Sequence, residues 1–434
     1  MSAIATVLSA MGHEVTGSDI KLSPTFARLR TAGLDVTLGH DAANVAGAAH
    51  LAVSSAIPPS NVEMLEAGRL GIPIWTRADV LASIATLRRT VAVAGTHGKT
   101  TTSSMLALIL VAAGMRPSFL IGGDLNDIGT NAVWDEGEWL VVEADESDGT
   151  FLRLQPEVGV VTSVEPDHLE HYGSFAALRQ SFREFMRAAQ TCVVAADDPG
   201  VLELAPPGAI TFGQSPAADI RLGPITGGRG DATFSLFGGD EEIGEFTIAM
   251  PGEHNARNAA AAAVAAQAIG VRVDVIRRAL ARFAGVARRF EFRGERNGVV
   301  FVDDYAHLPS ETRAALATAK RGGFSRVVCV FQPHRYSRIA KLAPDFAGAF
   351  ADADVLFVTE IYNSGEAPRP GVTGRLIVEA VLRNEPAKHA EFVPVHSDLL
   401  ARLQATLRPG DCCLILEAGD LTGLPDELLE LGGF

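Results

Sequence analysis

Cysteine is scarce in this chain. Four occur in 434 residues, at Cys192, Cys329, Cys412 and Cys413, and none has the spacing of a metal knuckle. That leaves no disulfide scaffold or zinc ribbon to read, only buried, reduced thiols of a cytosolic protein. No run of about 18 apolar residues is present, so no helix is expected to span a membrane. The N-terminus has no basic stretch leading into an apolar core, and no secretory signal is expected. Positive charge is in deficit: 37 Lys and Arg stand against 52 Asp and Glu, a net charge of −15. A field of that sign repels phosphate backbones, which excludes nucleic acid as a general partner but leaves room for a local nucleotide site. Short repeats and low-complexity tails are also missing. What remains is a cytoplasmic globular chain, long enough for two to four domains at roughly 100–200 residues each.

The first segment reads as a helix over 2–11, stopped by Gly12, and a strand over 13–19. Helix then strand is the second half of a βαβ unit. In a dinucleotide-type fold the preceding strand ends in a glycine turn, and an acid follows about 20 residues later. Asp19 fits that acid, which places the glycine turn just before Met1, so the chain is expected to start inside a nucleotide-binding domain. Short strands at 36–38, 51–54 and 73–74 follow, with a helix over 62–70. A second segment opens near Arg89 with a buried strand over 90–94 and a helix running to 113. Apolar strands at 139–143 and 159–163 come next. Residues 219–248 are Gly-rich and alternate, suggesting a small antiparallel flap, and an Ala-rich helix covers 258–269. The third segment, from about 288, alternates strand and helix: strands at 299–303, 326–331, 355–359, 391–395 and 412–416, helices at 310–320, 338–350, 374–383 and 398–407. That rhythm means a parallel sheet covered on both faces.

The strongest local motif is Gly95-Thr96-His97-Gly98-Lys99-Thr100-Thr101-Thr102, between a strand and a helix. Backbone N–H groups and a helix N-terminus there offer positive charge to phosphate oxygens. Lys99 adds a full charge for the β/γ-phosphates, and the Thr100 hydroxyl is placed to ligate Mg²⁺. The general pattern wants a glycine at 93, where this chain has Val93. Mg²⁺ needs hard oxygen ligands. Glu143, at a strand end in Glu143-Ala144-Asp145-Glu146-Ser147-Asp148, is the best-placed carboxylate, although a solvated acidic loop is an alternative. His168, in Glu165-Pro166-Asp167-His168 after the next strand, is either part of a second metal site or a hydrogen-bonded surface histidine. Asn255 and Asn258 could read an adenine edge. Taken alone, capping of the Ala-rich helix by Asn258 is the safer account. In the third segment, Asp303-Asp304-Tyr305-Ala306-His307 and Gln332-Pro333-His334-Arg335-Tyr336-Ser337-Arg338 each follow a strand, where open parallel sheets bind ligands. Arginines beside a histidine suit a carboxylate; surface arginines in a loop are the alternative.

Taken together, these stretches resemble the Mur ligase family. The matching segments are GTHGKTTT (95–102), EADESDGTF (143–151), EPDHLEHY (165–172), GEHNARNAAAA (252–262), RRFEFRG (288–294), DDYAHLPSE (303–311) and FQPHRYSR (331–338). They run in family order and cover nearly the whole chain. The resemblance implies an α/β fold of three domains. These are a Rossmann-like UDP-sugar-binding domain (1–88), a central P-loop ATPase domain with a parallel sheet and antiparallel flap (89–287), and a C-terminal Rossmann-like amino-acid-binding domain (288–434).

The implied activity is ATP-dependent joining of L-alanine to the lactyl carboxylate of UDP-N-acetylmuramate, through an acyl phosphate, in peptidoglycan precursor synthesis. FQPHRYSR with DDYAH is the part most specific for alanine. The resemblance assigns ATP to Gly95, Thr96, His97, Gly98, Lys99, Thr100, Thr101, Asn255, Asn258 and Arg289. It assigns Mg²⁺ to Thr100, Glu143 and His168, with Lys99, Glu143 and His168 as the catalytic set. Tyr305, His307, His334, Arg335 and Arg338 would form the amino-acid pocket, and Asp19, Ser54 and Asn131 the UDP-sugar side. A monomer or weak homodimer is expected.

Three departures stand out: Leu308 follows His307 where a second histidine is frequent, Glu417 precedes Ala418-Gly419-Asp420 in place of glycine, and no lysine occurs between Lys99 and Lys320, so a carbamylated lysine is unavailable. Two other functions compete. One is a family member adding a peptide to the same nucleotide, which FQPHRYSR disfavours. The other is a nucleotide-binding protein inactive through its shortened first domain.

Overall fold

Residues 1–431 are described in a computed structural model. The chain packs as two compact units: 1–223 with 235–245 and 258–281, and 224–234 with 246–257 and 282–434.

The first unit is organised by strand Arg89–Ala94, whose five residues after Arg89 are buried. Such continuous β-branched and small apolar runs suit a strand covered on both faces. It lies between two parallel neighbours, Trp139–Glu143 and Val158–Val161, with Val93 opposite Glu143 and Ala94 opposite Val161. The sheet continues in parallel through Thr191–Ala195, Ile210–Gly213 and Ile220–Leu222 on one side and Ser118–Leu125 on the other. Strand Ala232–Gly238 then pairs antiparallel with Ile220–Leu222. The 219–248 flap is therefore an antiparallel continuation of the large sheet, which has ten strands ending in Glu241–Ile248 at that edge. Two small parallel pairs precede it: Thr16–Asp19 with Asp35–Leu38, and Leu51–Val53 with Ile74–Thr76.

Aromatic packing closes the core below the sheet. Phe151 stacks on Phe185 (centroids 5.4 Å) and meets Phe182 edge-on (5.1 Å), and all three are fully buried. Gly137 marks a tight approach in this unit: a Cβ there would lie 2.0 Å from the Met115 carbonyl oxygen.

The second unit carries a six-stranded sheet in the order Glu291–Arg296, Val299–Asp304, Asp411–Leu416, Arg326–Phe331, Val355–Val358, His389–Phe392. All neighbours are parallel except the edge strand Glu291–Arg296. Side chains of Asp411–Leu416 alternate between two cores. Cys412, Leu414 and Leu416 join the cluster with Phe331, Phe346 and Phe350, while Cys413 and Ile415 join Phe301, Phe357 and Leu399. All four cysteines are buried and free. Burial pushes the Cys192 thiol up to about 12, so such thiols stay protonated and unreactive.

Several sequence boundaries shift for local reasons. The 338–350 helix is Tyr336–Leu342 followed by a 3₁₀ turn, Ala343–Phe346, because Pro344 has no N–H to continue the ladder. The 391–395 strand is His389–Phe392, stopping short of Pro394. The Ala-rich helix begins at Glu253, not 258, and runs to Ala268. Asn258 therefore lies inside it, and the capping role expected for that residue is wrong. Among the described residues no helix is long and apolar enough to cross a membrane.

All three tryptophans, Trp75, Trp134 and Trp139, lie in the first unit, so their fluorescence reports on it alone. Phe151→Ala should cost this unit about 3–5 kcal/mol through lost transfer energy and a residual cavity. Denaturant titration followed by tryptophan emission should show a lower midpoint, and an unchanged midpoint would contradict the core assignment.

Candidate functional site

The parallel register fixes the first site. Strand Arg89–Ala94 ends at Gly95, and helix Lys99–Ala112 begins four residues later. The loop between them is pinned to the chain that follows Val158–Val161. The Thr96 N–H donates to the Ser163 carbonyl (3.0 Å) and the His97 N–H to Ser163 Oγ (2.9 Å). The Glu165 N–H donates to Thr96 Oγ1 (2.8 Å), and Thr162 Oγ1 donates to the His97 carbonyl. His97 Nε2 lies 3.2 Å from a Glu165 carboxylate oxygen. Only glycine fits two of these positions. Gly95 (φ +135°) would place a Cβ 2.2 Å from Thr162 Oγ1, and Gly98 (φ +78°) one 2.3 Å from Asn258 Oδ1. Asn258 thus meets the Gly95–Gly98 loop directly. Asn255, one turn earlier in that helix and 2% exposed, donates from Nδ2 to the Pro251 carbonyl (2.8 Å).

Lys99 turns back into the loop. Its Nζ donates to the Gly95 carbonyl (2.6 Å) and to Glu146 Oε1 (2.9 Å). Burial works against its charge, but the carboxylates of Glu146, Asp145 and Glu143 outweigh it and hold the ammonium protonated above its usual range. Arg77 approaches the same acidic loop, 3.5 Å from Asp145 and 3.6 Å from Asp148. Glu143 ends strand Trp139–Glu143, and its carboxylate accepts the Gly122 N–H (2.8 Å). A Cβ at Gly122 would come within 2.6 Å of that carboxylate. Thr100 and Thr101 are buried in the first helical turn. His168 adopts φ +51°, with Nε2 at 3.3 Å from Asp167 and Nδ1 at 3.8 Å from Glu170. Asn131 donates to the Ile121 carbonyl (3.2 Å), beside Gly122 and hence near Glu143. Asp19 ends its strand and accepts the Lys21 N–H (3.0 Å). Ser54 opens a turn, accepting the Ala56 N–H (3.2 Å).

A second cluster forms in the second unit, at the carboxyl ends of Val299–Asp304 and Arg326–Phe331. Tyr305 packs edge-on against His307 (5.5 Å), and the His307 and His334 rings lie 5.5 Å apart. Arg338, 7% exposed, places Nη1 2.9 Å from His334 Nδ1. The guanidinium carbons of Arg288 and Arg289 sit 4.8 and 5.0 Å from the Tyr305 ring centroid. Arg335 is held at φ +67°, its N–H donating to the Tyr362 carbonyl (2.9 Å).

Buried acids underpin this cluster. Asp304 accepts the Phe290 N–H (2.7 Å) and the Ala306 N–H (2.8 Å), and burial pushes it to about 6. Asp303 is pushed to about 7 by burial and by Glu417, against Arg288 and Arg293. Arg288 in turn donates to Glu417.

Comparison with known proteins gives this arrangement its context. The chain matches the Mur ligase family catalytic domain model over 1–89, the Mur ligase middle domain over 93–266 and the Mur ligase glutamate ligase domain over 288–419. The chain belongs to the Mur ligase family. Among relatives of this Mur ligase, a UDP-N-acetylmuramate–L-alanine ligase of Anaeromyxobacter sp. (strain Fw109-5) is 43% identical, covering 99% of this chain and 95% of that protein. One from Agrobacterium fabrum (strain C58 / ATCC 33970) is 41% identical over 100% and 95%. The solved UDP-N-acetylmuramate-alanine ligase of Thermotoga maritima superposes with a TM-score of 0.85 at 28% identity, covering 99% and 96%. A murein peptide ligase from Psychrobacter arcticus 273-4 shares the fold, with a TM-score of 0.72 at 24% identity over 100% and 96%.

Some contacts of this Mur ligase carried no readable signal in the sequence. Glu146 was visible only as one acid in a run, and its pairing with Lys99 depends on how the 144–149 loop turns. Tyr362 and Arg288 reach their partners through strand-end geometry that no local pattern announces.

The raised acids make a pH prediction. A carboxyl whose folded pKa exceeds its unfolded value stabilises the fold when protonated, and that contribution is lost as pH rises through the folded value. Stability of the second unit should therefore decline between about pH 4 and 7 through Asp303. Asp303→Asn should flatten that decline and raise the melting temperature at pH 8, measured by calorimetry. Parallel wild-type and variant curves would refute it.

Proposed function

We propose that this Mur ligase joins L-alanine to the lactyl carboxylate of UDP-N-acetylmuramate, using ATP, in the cytoplasm. The observation that carries the reading is the pairing of two built sites in one family member. One is a glycine-pinched phosphate loop with a buried lysine, and the other is a His–Arg–Tyr cluster at strand ends. The naming of the relatives at 41–43% identity over essentially their full length supports the alanine-adding member over the peptide-adding alternative.

ATP and Mg²⁺ suit the residues present. Three carboxylates converge on one ammonium at Lys99, so the donor set has hard, anionic oxygen to spare, the kind a divalent cation takes. Thr100 and Glu143 would hold one Mg²⁺ and His168 a second. Bound there, the metal would neutralise charge on the phosphoryl group being transferred. Lys99 would exchange Glu146 for the terminal phosphates, the Gly95–Gly98 backbone would cradle them, and Asn255, Asn258 and Arg289 would serve the rest of the nucleotide. Asp19, Ser54 and Asn131 would meet the UDP-sugar.

The chemistry then has two steps. A carboxylate oxygen of the sugar takes the γ-phosphoryl group as its bond to the β-phosphate oxygen breaks, releasing ADP. The alanine amine next attacks the acyl carbon, forming the amide and expelling phosphate as the nitrogen loses its proton. Neither step needs a protein nucleophile; positioning and charge neutralisation suffice. Arg335 and Arg338 suit the alanine carboxylate by paired N–H donation, with Tyr305, His307 and His334 around it.

The test is phosphate release with Mg-ATP, UDP-N-acetylmuramate and L-alanine, with mass analysis of the product. Full-rate release should require both co-substrates and yield the alanyl amide. Equal release without the amino acid would sink the assignment. The two sites should also separate kinetically. Lys99→Ala should lower kcat/KM for ATP by about 10³-fold or more, whereas Arg338→Ala should act mainly through a higher KM for L-alanine.

A further inference from the structure

A cavity of about 440 Å³ opens in the second unit, within the range of about 300–1,000 Å³ typical of small-ligand pockets. Ile361, Val393, Leu399 and Leu421 give it an apolar wall. None of Tyr305, His307, His334, Arg335 and Arg338 lines it. The aromatic residue common to the cavity and the histidine cluster is Tyr362. Its ring lies nearly parallel to the His334 imidazole, 16° apart with centroids at 5.7 Å.

Tyr362 is fixed from two directions. Its main chain is clamped: the Tyr362 N–H donates to the Pro333 carbonyl (2.8 Å), and its own carbonyl accepts the Arg335 N–H (2.9 Å). Behind the ring, Gly419 approaches so closely that a Cβ would lie 2.5 Å from Tyr362 Cγ and 2.3 Å from Gln332 Oε1. The ring therefore has no room to swing toward Gly419, and the stack on His334 holds its other side.

We propose that Tyr362 is a specificity-determining partition. It closes the amino-acid site off from the adjoining cavity, so that only a small side chain is accepted. This rests on His307, His334 and Arg338 forming the amino-acid site. Removal of the ring should join the two spaces and admit valine or leucine side chains against Ile361, Val393, Leu399 and Leu421. Two of the polar groups bordering the cavity are engaged on one oxygen each: Glu360 Oε1 accepts the Ile361 N–H (2.8 Å), and Asp420 Oδ1 accepts from Gln332 Nε2 (2.8 Å). Gln332, Thr359, Asn363 and His396 border it as well, so an incoming side chain would lie on the apolar wall beside a polar rim.

The experiment compares wild type, Tyr362→Phe and Tyr362→Ala on L-alanine, L-valine, L-leucine and L-lysine, by coupled phosphate release and product mass. Tyr362→Ala should raise the valine-to-alanine or leucine-to-alanine ratio of kcat/KM by about tenfold or more, the scale of side-chain-size discrimination in a pocket. Tyr362→Phe keeps the ring and should leave the ratio unchanged. Adding Leu421→Phe to Tyr362→Ala refills the cavity and should bring alanine preference back. An unchanged ratio in Tyr362→Ala, or a gain confined to lysine, overturns the proposal. Both hydrogen bonds that fix this segment are main-chain, so the variant is expected to fold. If calorimetry shows otherwise, Tyr362→Leu is measured with the same expectations. Wild type on L-alanine keeps the two readings apart: no alanyl product there refutes the function itself, whereas an active wild type with a flat Tyr362→Ala ratio refutes only the partition.

Discussion

The candidate site of the first unit depends on one constraint, the in-register parallel pairing of three strands. Arg89–Ala94 lies between Trp139–Glu143 and Val158–Val161, and all run the same way. Their carboxyl ends are therefore level, so the loop at Gly95, the carboxylate of Glu143 and the 162–165 turn emerge side by side. Because side chains alternate along a strand, a slip of one residue would turn Glu143 to the opposite face. The buried apolar residues on either side forbid that slip. Core packing, far from any chemistry, thus sets the relative placement of Lys99 and its acids. The second unit repeats the logic, with Asp304 and Phe331 ending the two parallel strands that flank Asp411–Leu416.

Strand ends alone do not shape a site; the turns after them do, and here they are held in unusual backbone conformations. His168, Arg288, Phe290 and Arg335 all have positive φ without being glycine, a geometry that costs on the order of 1–3 kcal/mol each and persists only where the surroundings over-determine it. Each has visible restraints. His168 donates its N–H to Asp167 Oδ1 (2.9 Å). Arg288 donates its N–H to Glu291 (2.8 Å), Phe290 to Asp304 and Arg335 to the Tyr362 carbonyl. The buried Asp304 carboxylate is thus committed to bending the chain around Tyr305. That explains why an acid sits there at all, despite the burial that pushes its proton affinity up.

Much of this was legible in the sequence because the signals are local. Strand–glycine loop–lysine–helix is a contiguous pattern, and the alternating third segment gave strands near the observed ones, Arg326–Phe331 without error. Asn258 was misread because helix propensity in an alanine run says little about where the helix begins. The true start at Glu253 places Asn258 beyond the first turn, facing Gly98. The sequence shows the flap as antiparallel but not that it extends the large sheet, because alternation reveals a strand but not its partner. Pairing of Ile220–Leu222 with Ile210–Gly213 is a tertiary fact. Tyr362 was invisible for the same reason, since its stacking partner lies 28 residues away across a parallel bridge.

Charge gives the last step. A buried ammonium is costly unless paired, and a buried carboxylate equally so. With Glu146 1% exposed, neither it nor Lys99 could remain ionised alone. Their mutual pairing therefore lets the chain fold with a charged lysine already buried in the Gly95–Gly98 loop. Lys99 Nζ simultaneously donates to the Gly95 carbonyl, so one ammonium ties the loop to the acidic run. A triphosphate entering the loop would bring oxygens that can replace the carboxylate on Lys99 one for one, leaving Glu146, Asp145 and Glu143 as an anionic rim. On the proposed reading, that rim would repel a bare triphosphate and favour one arriving with its cation, while the same acidic run holds the lysine.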